Sequence, residues 1–232
     1  MTPLTTSLIV LAASIAVCFL LGLITKNYSW VDRLWSVLPP VYVFIWLPLY
    51  PHNPRFIIAG VLVLLWGIRL TVNFALKGGY SFSFSRGFTG EDYRWGYLRS
   101  KIGNQALFEL FNFFFISAYQ LILIFLFTLP LYYYGQIEGP ILNAEIVLYA
   151  VHLILLVLET VSDVQQLRFY ERRNKSPWSE KKRYKLGFNT FGLWKLSRHP
   201  NYVCEMGQWV VVFLYLVAAS GSIHFSGIGA LL

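Results

Sequence analysis

The chain has 232 residues, of which 56% are apolar, 18% are aromatic and only 13% are charged. The apolar residues occur in long runs, which excludes an ordinary soluble domain and predicts a polytopic, all-α membrane protein. A net charge of +8 is typical of cytoplasmic loops that meet anionic lipid, so we expect a lipid bilayer rather than a nucleic acid as the partner. Two cysteines and four scattered histidines indicate neither a disulfide framework nor a metal site.

Six apolar segments are long enough to cross a bilayer. They are residues 7–24, 35–50, 56–76, 107–134, 142–164 and 203–220. Pro39 and Pro40 predict a kink in the second span, which membrane helices tolerate. No basic leader precedes the first span, so we expect a retained helix and a single integral membrane domain over residues 1–232.

Basic residues are concentrated between the third and fourth spans and between the fifth and sixth spans. The other loops contain very few of them. The positive-inside rule therefore predicts that the two long basic loops are cytosolic and that the amino terminus lies outside or in the lumen. We expect the endoplasmic reticulum membrane in a eukaryote and the inner membrane in a bacterium.

Four predicted spans contain polar residues at helical spacing, so that each set lies on one face of its helix. Intramembrane polar groups are costly unless they face the interior of a bundle and bind something, and together they predict a cofactor cavity open to the cytosol. The sequence leaves open whether Glu109, Glu159, Asp163 or Glu205 neutralises Arg69. The four sets are Arg69, Asn73 and Lys77; Glu109, Asn112, Tyr119 and Gln120; His152, Glu159, Asp163 and Gln166; and Asn201, Glu205 and Gln208.

The stretch from Gly192 to Glu205 passes Arg198 and His199 and enters the last span at Pro200, a residue that fits the first turn of a helix. We interpret it as a site for a charged cofactor at the membrane surface. The alternative is a polar cluster at the start of the helix that other helices satisfy.

Arginine forks suit phosphates, so Arg94, Arg168 and Arg172 are further candidates for cofactor binding. For most residues of the basic run 168–185 the alternative is attraction to anionic lipid. The chain has neither a Gly-x-Gly-x-x-Gly fingerprint nor a P-loop, so the helical bundle itself must hold any nucleotide.

Five motifs resemble the DUF1295 branch of the steroid 5-alpha-reductase-like superfamily, over roughly residues 28–210. This resemblance implies a bundle of about seven membrane helices that binds NADPH on its cytosolic side. It also implies an oxidoreductase that transfers a hydride to a carbon–carbon double bond conjugated to a carbonyl. The motifs are Trp30-Val-Asp-Arg-Leu-Trp-Ser36, Leu65-Trp-Gly-Ile-Arg-Leu70 with Asn73-Phe, Gly90-Glu-Asp-Tyr-Arg-Trp95, Ser162-Asp163, and Gly192-Leu-Trp with Ser-Arg-His-Pro-Asn-Tyr-x-x-Glu205.

The resemblance also implies roles for individual residues. Asp163, Asn201, Tyr202 and Glu205 match family positions that contact the cofactor, and the resemblance makes Arg168 and Arg172 candidates for its phosphate contacts. The family's catalytic glutamate and tyrosine are replaced, and the corresponding regions offer Asp32 and Arg69. Together with Tyr202, these are the candidates for polarising the substrate carbonyl.

This chain also departs from the family pattern. Cys204 stands where family members usually have glycine. The chain stops at residue 232, where the family continues into a last helix and a cytosolic tail, so we expect that a carboxy-terminal segment of the family is missing.

Three hypotheses follow for the function. The first is an NAD(P)H-dependent reductase of a sterol-like or enoyl lipid. The second is an S-adenosylmethionine-dependent enzyme like the isoprenylcysteine carboxyl methyltransferases, which share an Arg-His-Pro-x-Tyr-x-x-Glu motif. The third is a non-catalytic, lipid-binding membrane protein, suggested by the missing tail.

Overall fold

The computed structural model describes residues 1–83, 87–88, 90–175, 184 and 186–231. Parts of the two basic loops, among them Arg86, Lys181, Lys182, Arg183 and Lys185, therefore lie outside the described residues. The described part is helical apart from loops and one short antiparallel pair of strands, β1 (Phe82–Ser83) and β2 (Gly87–Phe88). The helices are α1 (Pro3–Thr25), α2 (Trp30–Trp35), α3 (Leu38–Trp46), α4 (Pro54–Leu76), α5 (Tyr93–Ile102), α6 (Gln105–Phe111), α7 (Gln120–Tyr134), α8 (Asn143–Lys175), α9 (Pro200–Ser220) and α10 (Ile228–Leu231).

Five helical stretches are long and apolar enough to cross a membrane. Their outer faces are apolar as well, as on α8, where Ile154, Val157 and Val161 are exposed. Apolar faces of this length require lipid rather than water around them. The prediction of a polytopic helical bundle is therefore confirmed. The five stretches are Pro3–Thr25, Pro54–Leu76, Gln105–Tyr134, Asn143–Lys175 and Pro200–Ser220.

The predicted second span, residues 35–50, is not one helix. It consists of the end of α2, the whole of α3 and a 3₁₀ turn at Leu47–Leu49. Pro39 lies in the first turn of α3, where the missing N–H would have no partner in any case. The prolines therefore begin a helix instead of kinking one.

This broken segment still runs the length of the bundle. At one end, Arg33 on α2 donates to the carbonyl of Gly79, just after α4. At the other end, Trp46 on α3 donates to Ser7, in the first turns of α1. Within its described residues, the chain therefore crosses the bundle six times, once through short helices. We call the end where α1, α4 and α8 finish and α6 and α9 begin the mouth end, and the opposite end the far end.

The helix α8 continues through residue 175, eleven residues beyond its predicted end at 164. Arg168 and Arg172 therefore lie on a rigid helix that projects at the mouth end, whereas the sequence placed them in a loop. A membrane crossing needs only about 20 helical residues, which leaves the last turns of α8 free to carry polar side chains.

A buried arginine fixes the loop that follows α4. The Arg33 side chain is only 4% exposed, and its Nε donates to the Gly79 carbonyl at 3.1 Å while its Nη2 donates to the Gly90 carbonyl at 2.7 Å. The two ends of the 79–90 segment are thereby held together against α2. This contact positions the start of α5 beside the mouth end.

At the far end, Arg55 and Glu145 form a buried ion pair that joins the first turns of α4 and α8. The pair is bidentate, with Nε–Oε1 at 2.7 Å and Nη2–Oε2 at 3.0 Å. Arg55 also donates to the carbonyls of Gly139 and Pro140, and the Tyr134 hydroxyl donates to Glu145. Because the loop carbonyls and the carboxylate satisfy the guanidinium, the connection between α7 and α8 is fixed.

We predict that Glu145→Gln destabilises the protein by roughly 3 to 5 kcal/mol, because removing one partner leaves a buried charge uncompensated. Thermal unfolding in detergent measures the change. The control is Glu138→Gln, which removes a charge from an exposed side chain of the same loop. Equal melting temperatures for the two variants would contradict a structural role for the pair.

We also predict that Gly67→Ala weakens the packing of α4 against the broken second crossing. A Cβ at Gly67 would lie 2.5 Å from Pro40 Cγ and 2.8 Å from the Ser36 carbonyl oxygen, and such overpacking costs about 1 to 3 kcal/mol. A Cβ at Gly96 in α5 would meet no atom within 4 Å, so Gly96→Ala should stabilise by about 0.5 to 1 kcal/mol. Thermal unfolding of the two variants should therefore shift in opposite directions.

Candidate functional site

Arg69, on the inner face of α4, is the centre of a polar cluster near the mouth end. Its side chain is only 10% exposed. Nη2 lies 2.6 Å from Glu159 Oε1 and Nη1 lies 2.7 Å from Asp163 Oδ2. These two carboxylates are one helical turn apart on α8, so a single guanidinium binds both. Glu159 and Asp163 are thus the groups that neutralise Arg69.

Asp163 also binds the other two polar side chains of the α4 stripe, Asn73 and Lys77. Asn73 donates to Asp163 Oδ2 at 2.9 Å, and the Lys77 ammonium lies 3.4 Å from Asp163 Oδ1. Asn73 and Lys77 follow Arg69 at intervals of four residues, so all three point in one direction. Lys77 is 41% exposed, which places the outer edge of the cluster at the mouth end.

The helix α9 closes the cluster from the other side. Gln208 donates to Glu159 Oε2 at 2.7 Å, and Asn201 donates to Asp163 Oδ1 at 3.4 Å. The two amides are seven residues apart, two turns of one helical face. The structure therefore brings together the predicted polar stripes of α4, α8 and α9.

Glu205 is the third carboxyl group of this cluster, and its surroundings differ from those of the other two. Its Oε1 accepts a hydrogen bond of 3.2 Å from the Trp35 indole on α2. Both Nη groups of Arg69 are occupied by Glu159 and Asp163. Glu205 therefore links α9 to the broken second crossing and is held by a neutral donor.

Several atoms of the cluster have no hydrogen-bond partner among the described residues. They include one donor, Arg69 Nε, and two acceptors, Gln208 Oε1 and Asn201 Oδ1, all shielded from solvent. Buried polar atoms are rarely left unpaired. The cluster therefore has unused capacity to bind a group that both accepts and donates hydrogen bonds.

A cleft of ≈ 360 Å³ lies along the carboxy-terminal turns of α8, and none of its lining residues belongs to the cluster. Arg168 and Arg172 lie on one wall of the cleft, and Gly192 lies on the opposite wall. The Gln165 side chain accepts from the Leu193 N–H at 3.0 Å, which fixes the loop before α9 against α8. The lining residues are Gln165, Arg168, Phe169, Arg172, Tyr184, Asn189, Phe191 and Gly192.

Other predicted site residues lie around this centre rather than in it. Asp32 accepts from the Trp95 indole at 3.1 Å, and exposed Arg94 pairs with Asp92 at 2.8 Å. Tyr202 is 54% exposed and stacks near His199, with ring centroids 5.5 Å apart. Arg198 and His199 are exposed on the loop before α9.

The charge of Asp92 reflects its contact with Arg94. Partial burial acts to raise the pKa of Asp92, but the hydrogen bonds from Arg94 prevail and hold that pKa below its usual value. Asp92 is therefore a carboxylate whose charge Arg94 compensates, and the Arg94 guanidinium is held in this ion pair.

The polar stripe of the fourth span does not join the cluster. Glu109 accepts from the Tyr28 hydroxyl at 2.7 Å, lies 3.5 Å from Lys26 and accepts from Asn112. This second group ties α6 to the connection between α1 and α2. Burial and the bond to Glu109 raise the Tyr28 pKa to about 12, so that hydroxyl remains a donor.

Sequence reasoning missed the role of Trp35. Its indole contacts Glu205 across 170 positions of the chain. Trp35 belongs to the Asp-Arg-Leu-Trp motif, so the signal was present in the sequence, but a motif on one segment does not indicate which segment it faces.

Comparison with known proteins identifies the family. Residues 18–232 match the family model DUF1295, described as a protein of unknown function. An uncharacterized protein of Schizosaccharomyces pombe is 34% identical over 214 residues, covering 86% of this chain, and the chain spans 60% of that protein's length. No solved structure matches the chain significantly. The match over nearly the whole sequence shows that this chain belongs to the DUF1295 family.

Proposed function

We propose that this protein is a membrane-embedded, NAD(P)H-dependent reductase. Its substrate is a lipophilic molecule, sterol-like or an enoyl lipid, with a carbon–carbon double bond conjugated to a carbonyl. The reaction class follows from the resemblance to the steroid 5-alpha-reductase-like superfamily, and the geometry of the Arg69 cluster supports it.

The observation that carries the proposal is the convergence of charged and amide side chains from three membrane helices on one point. The side chains of Arg69, Glu159 and Asp163 are each 10% exposed or less. Ionisable groups within a membrane are costly and are typical of sites that bind a polar ligand. Ion pairing alone explains Arg69 and its carboxylates, but it leaves the unpaired donor and acceptors of the cluster unused.

The residues present fit a nicotinamide dinucleotide. Arg168 and Arg172 in the cleft suit its phosphates, since guanidinium groups bind phosphate oxygens in pairs. Asp163 lies nine residues before Arg172 on α8, which corresponds to about 13 Å of helix. Nine residues also turn the helix face by about 180°, so a dinucleotide whose phosphates lie in the cleft extends around α8 to reach the cluster, where Asn201 offers an unpaired oxygen.

A bound nicotinamide supplies a hydride, and the protein supplies position and charge. Arg69 is held on both Nη groups, so it acts as a fixed positive charge beside the reacting atoms rather than as a mobile group. The neighbouring face of α9 presents exposed Tyr202 and Met206, which a lipophilic substrate reaches directly from the bilayer.

The predicted orientation agrees with this use of the site. Arg168, Arg172 and Lys77 all lie at the mouth end, and the positive-inside rule places that end in the cytosol. In this proposal, the nucleotide therefore enters the site from the cytosol, and the substrate enters it from the membrane.

The first prediction from this proposal is stabilisation by nucleotide. A ligand that binds the folded state at 100 times its Kd adds about 2.7 kcal/mol, so NADPH or NADH should raise the melting temperature of the detergent-purified protein. Asp163→Asn should weaken binding by roughly tenfold or more, because it removes a charged partner of Arg69 and Asn73.

The matched control is Glu109→Gln, which neutralises a carboxylate at the mouth end outside the cluster. It should keep the nucleotide-induced shift of the wild type. Stabilisation by S-adenosylmethionine alone would overturn the reductase in favour of methyl transfer. No shift with any of the three ligands would favour a non-catalytic role.

A second prediction concerns the cleft. Arg168→Gln combined with Arg172→Gln should weaken NADPH binding by about a hundredfold or more, since each charge-assisted contact to phosphate contributes about 1.5 to 3 kcal/mol. Titration by thermal shift measures the change. Lys101→Gln, at an exposed position of α5, is the control for loss of a basic charge. Equal affinities for the cleft and control variants would remove the cleft from the nucleotide site.

A further inference from the structure

We propose that Glu205 carries a proton in the resting protein and donates it to the substrate during reduction. This inference rests on the proposed function and assigns the proton donor, a role for which the sequence suggested Asp32, Arg69 or Tyr202. Three observations lead to it: the charge count of the cluster, the partners of each carboxyl group, and the position of Glu205 on α9.

The cluster contains more acids than bases. Glu159, Asp163 and Glu205 are its three carboxyl groups, and Arg69 and Lys77 are its two basic groups. Fully ionised, the cluster would carry a net charge of −1 within the membrane protein, and carboxylates that share a site do not all ionise. One proton therefore remains in the cluster.

The hydrogen bonds indicate where this proton lies. Glu159 and Asp163 each bind one Nη group of Arg69 at 2.7 Å or less, and such contacts favour the ionised carboxylate. Glu205 instead accepts from the Trp35 indole, a neutral donor that also suits the carbonyl oxygen of a protonated carboxyl. No other hydrogen bond joins Glu205 to the described part of the chain, which leaves its O–H available.

The charged and titratable groups that face Glu205 come from three helices. Arg69 and Lys77 face it from α4, Glu159 and Asp163 from α8, and Tyr202 from its own helix. From α2 it meets the neutral Trp35 indole. Arg69 and Lys77 are bound to Glu159 and Asp163, so neither cation forms an ion pair that would hold Glu205 in its ionised form.

The alternatives for the proton donor are placed less well. Both Nη groups of Arg69 are engaged by carboxylates, and Asp32 lies outside the Arg69 cluster, where it accepts from the Trp95 indole. Glu205 is partly exposed on α9, between buried Gln208 and exposed Tyr202. A substrate that lies against this face of α9 reaches the Glu205 carboxyl without disturbing the ion pairs.

A bound nicotinamide would supply the hydride for the β carbon of the conjugated double bond, and the electron pair of that bond would then require a proton at the α carbon or the carbonyl oxygen. The Glu205 O–H proton is transferred to this electron-rich position, leaving a Glu205 carboxylate and an oxidised cofactor. A proton from solution at the mouth end, where Lys77 is exposed, restores the carboxyl.

Infrared spectroscopy of the purified protein tests the resting state directly. A protonated carboxyl has a carbonyl stretching band that a carboxylate lacks. We expect Glu205→Gln to remove such a band and Trp35→Phe to shift its frequency because a hydrogen bond is lost. Glu109→Gln, which neutralises a carboxylate outside the cluster, should retain the band. Persistence of the whole band in Glu205→Gln, or an unchanged frequency in Trp35→Phe, would overturn the proposal.

A binding measurement separates this inference from the proposed function. At a saturating concentration of NADPH, Glu205→Gln should abolish reduction of an enone substrate, because the amide has the same size and still accepts from Trp35 but has no acidic proton to donate. If the wild type is stabilised by NADPH but Glu205→Gln still reduces substrate at the wild-type rate, the donor role is overturned and the reductase stands. If neither NADPH nor NADH stabilises the wild type, both the reductase and the donor role are overturned, whatever the infrared band shows.

Discussion

The Arg69 guanidinium is the contact on which the arrangement of the long helices depends. It joins α4 to α8 through Glu159 and Asp163, and these carboxylates are bound in turn by Gln208 and Asn201 of α9. In lipid there is no hydrophobic force between helices, so polar contacts and close packing decide which faces meet. One cation therefore sets the rotation of three helices about their axes.

Polar contacts also determine how α8 packs against α9, and they do so over a greater length of the two helices. His152 contacts Tyr215 at 2.8 Å, seven residues before Glu159 and seven after Gln208 in the two antiparallel helices. Apolar side chains such as Leu156 and Val212 fill the space between these polar contacts. Polar pairs at two-turn intervals fix the register of the helices, and the apolar residues between them exclude lipid.

Helical periodicity predicted which faces of the helices are polar, but not which helices are neighbours. The stripes beginning at Arg69, His152 and Asn201 meet as their spacing suggests. The stripe beginning at Glu109 has the same spacing and faces Tyr28 instead. Periodicity describes a helix relative to itself, so contacts such as Trp35 with Glu205 require the fold. Likewise, the apolar content of residues 35–50 agrees with the burial of this segment within the bundle but said nothing about the continuity of the helix at Pro39.

The two ends of the bundle differ in whether the charges of their buried ionisable groups balance. At the far end, Arg55 faces one carboxylate, and loop carbonyls and the Tyr134 hydroxyl complete its surroundings. The charges of Arg55 and Glu145 balance each other, and this ion pair fixes the connection between α7 and α8. At the mouth end, three carboxyl groups meet two cations, and a buried donor and two acceptors have no partner among the described residues. A balanced buried pair stabilises a fold without needing anything else. An unbalanced one requires a proton or a ligand, and this requirement, rather than the mere presence of charge in the membrane, makes the Arg69 cluster the candidate functional site.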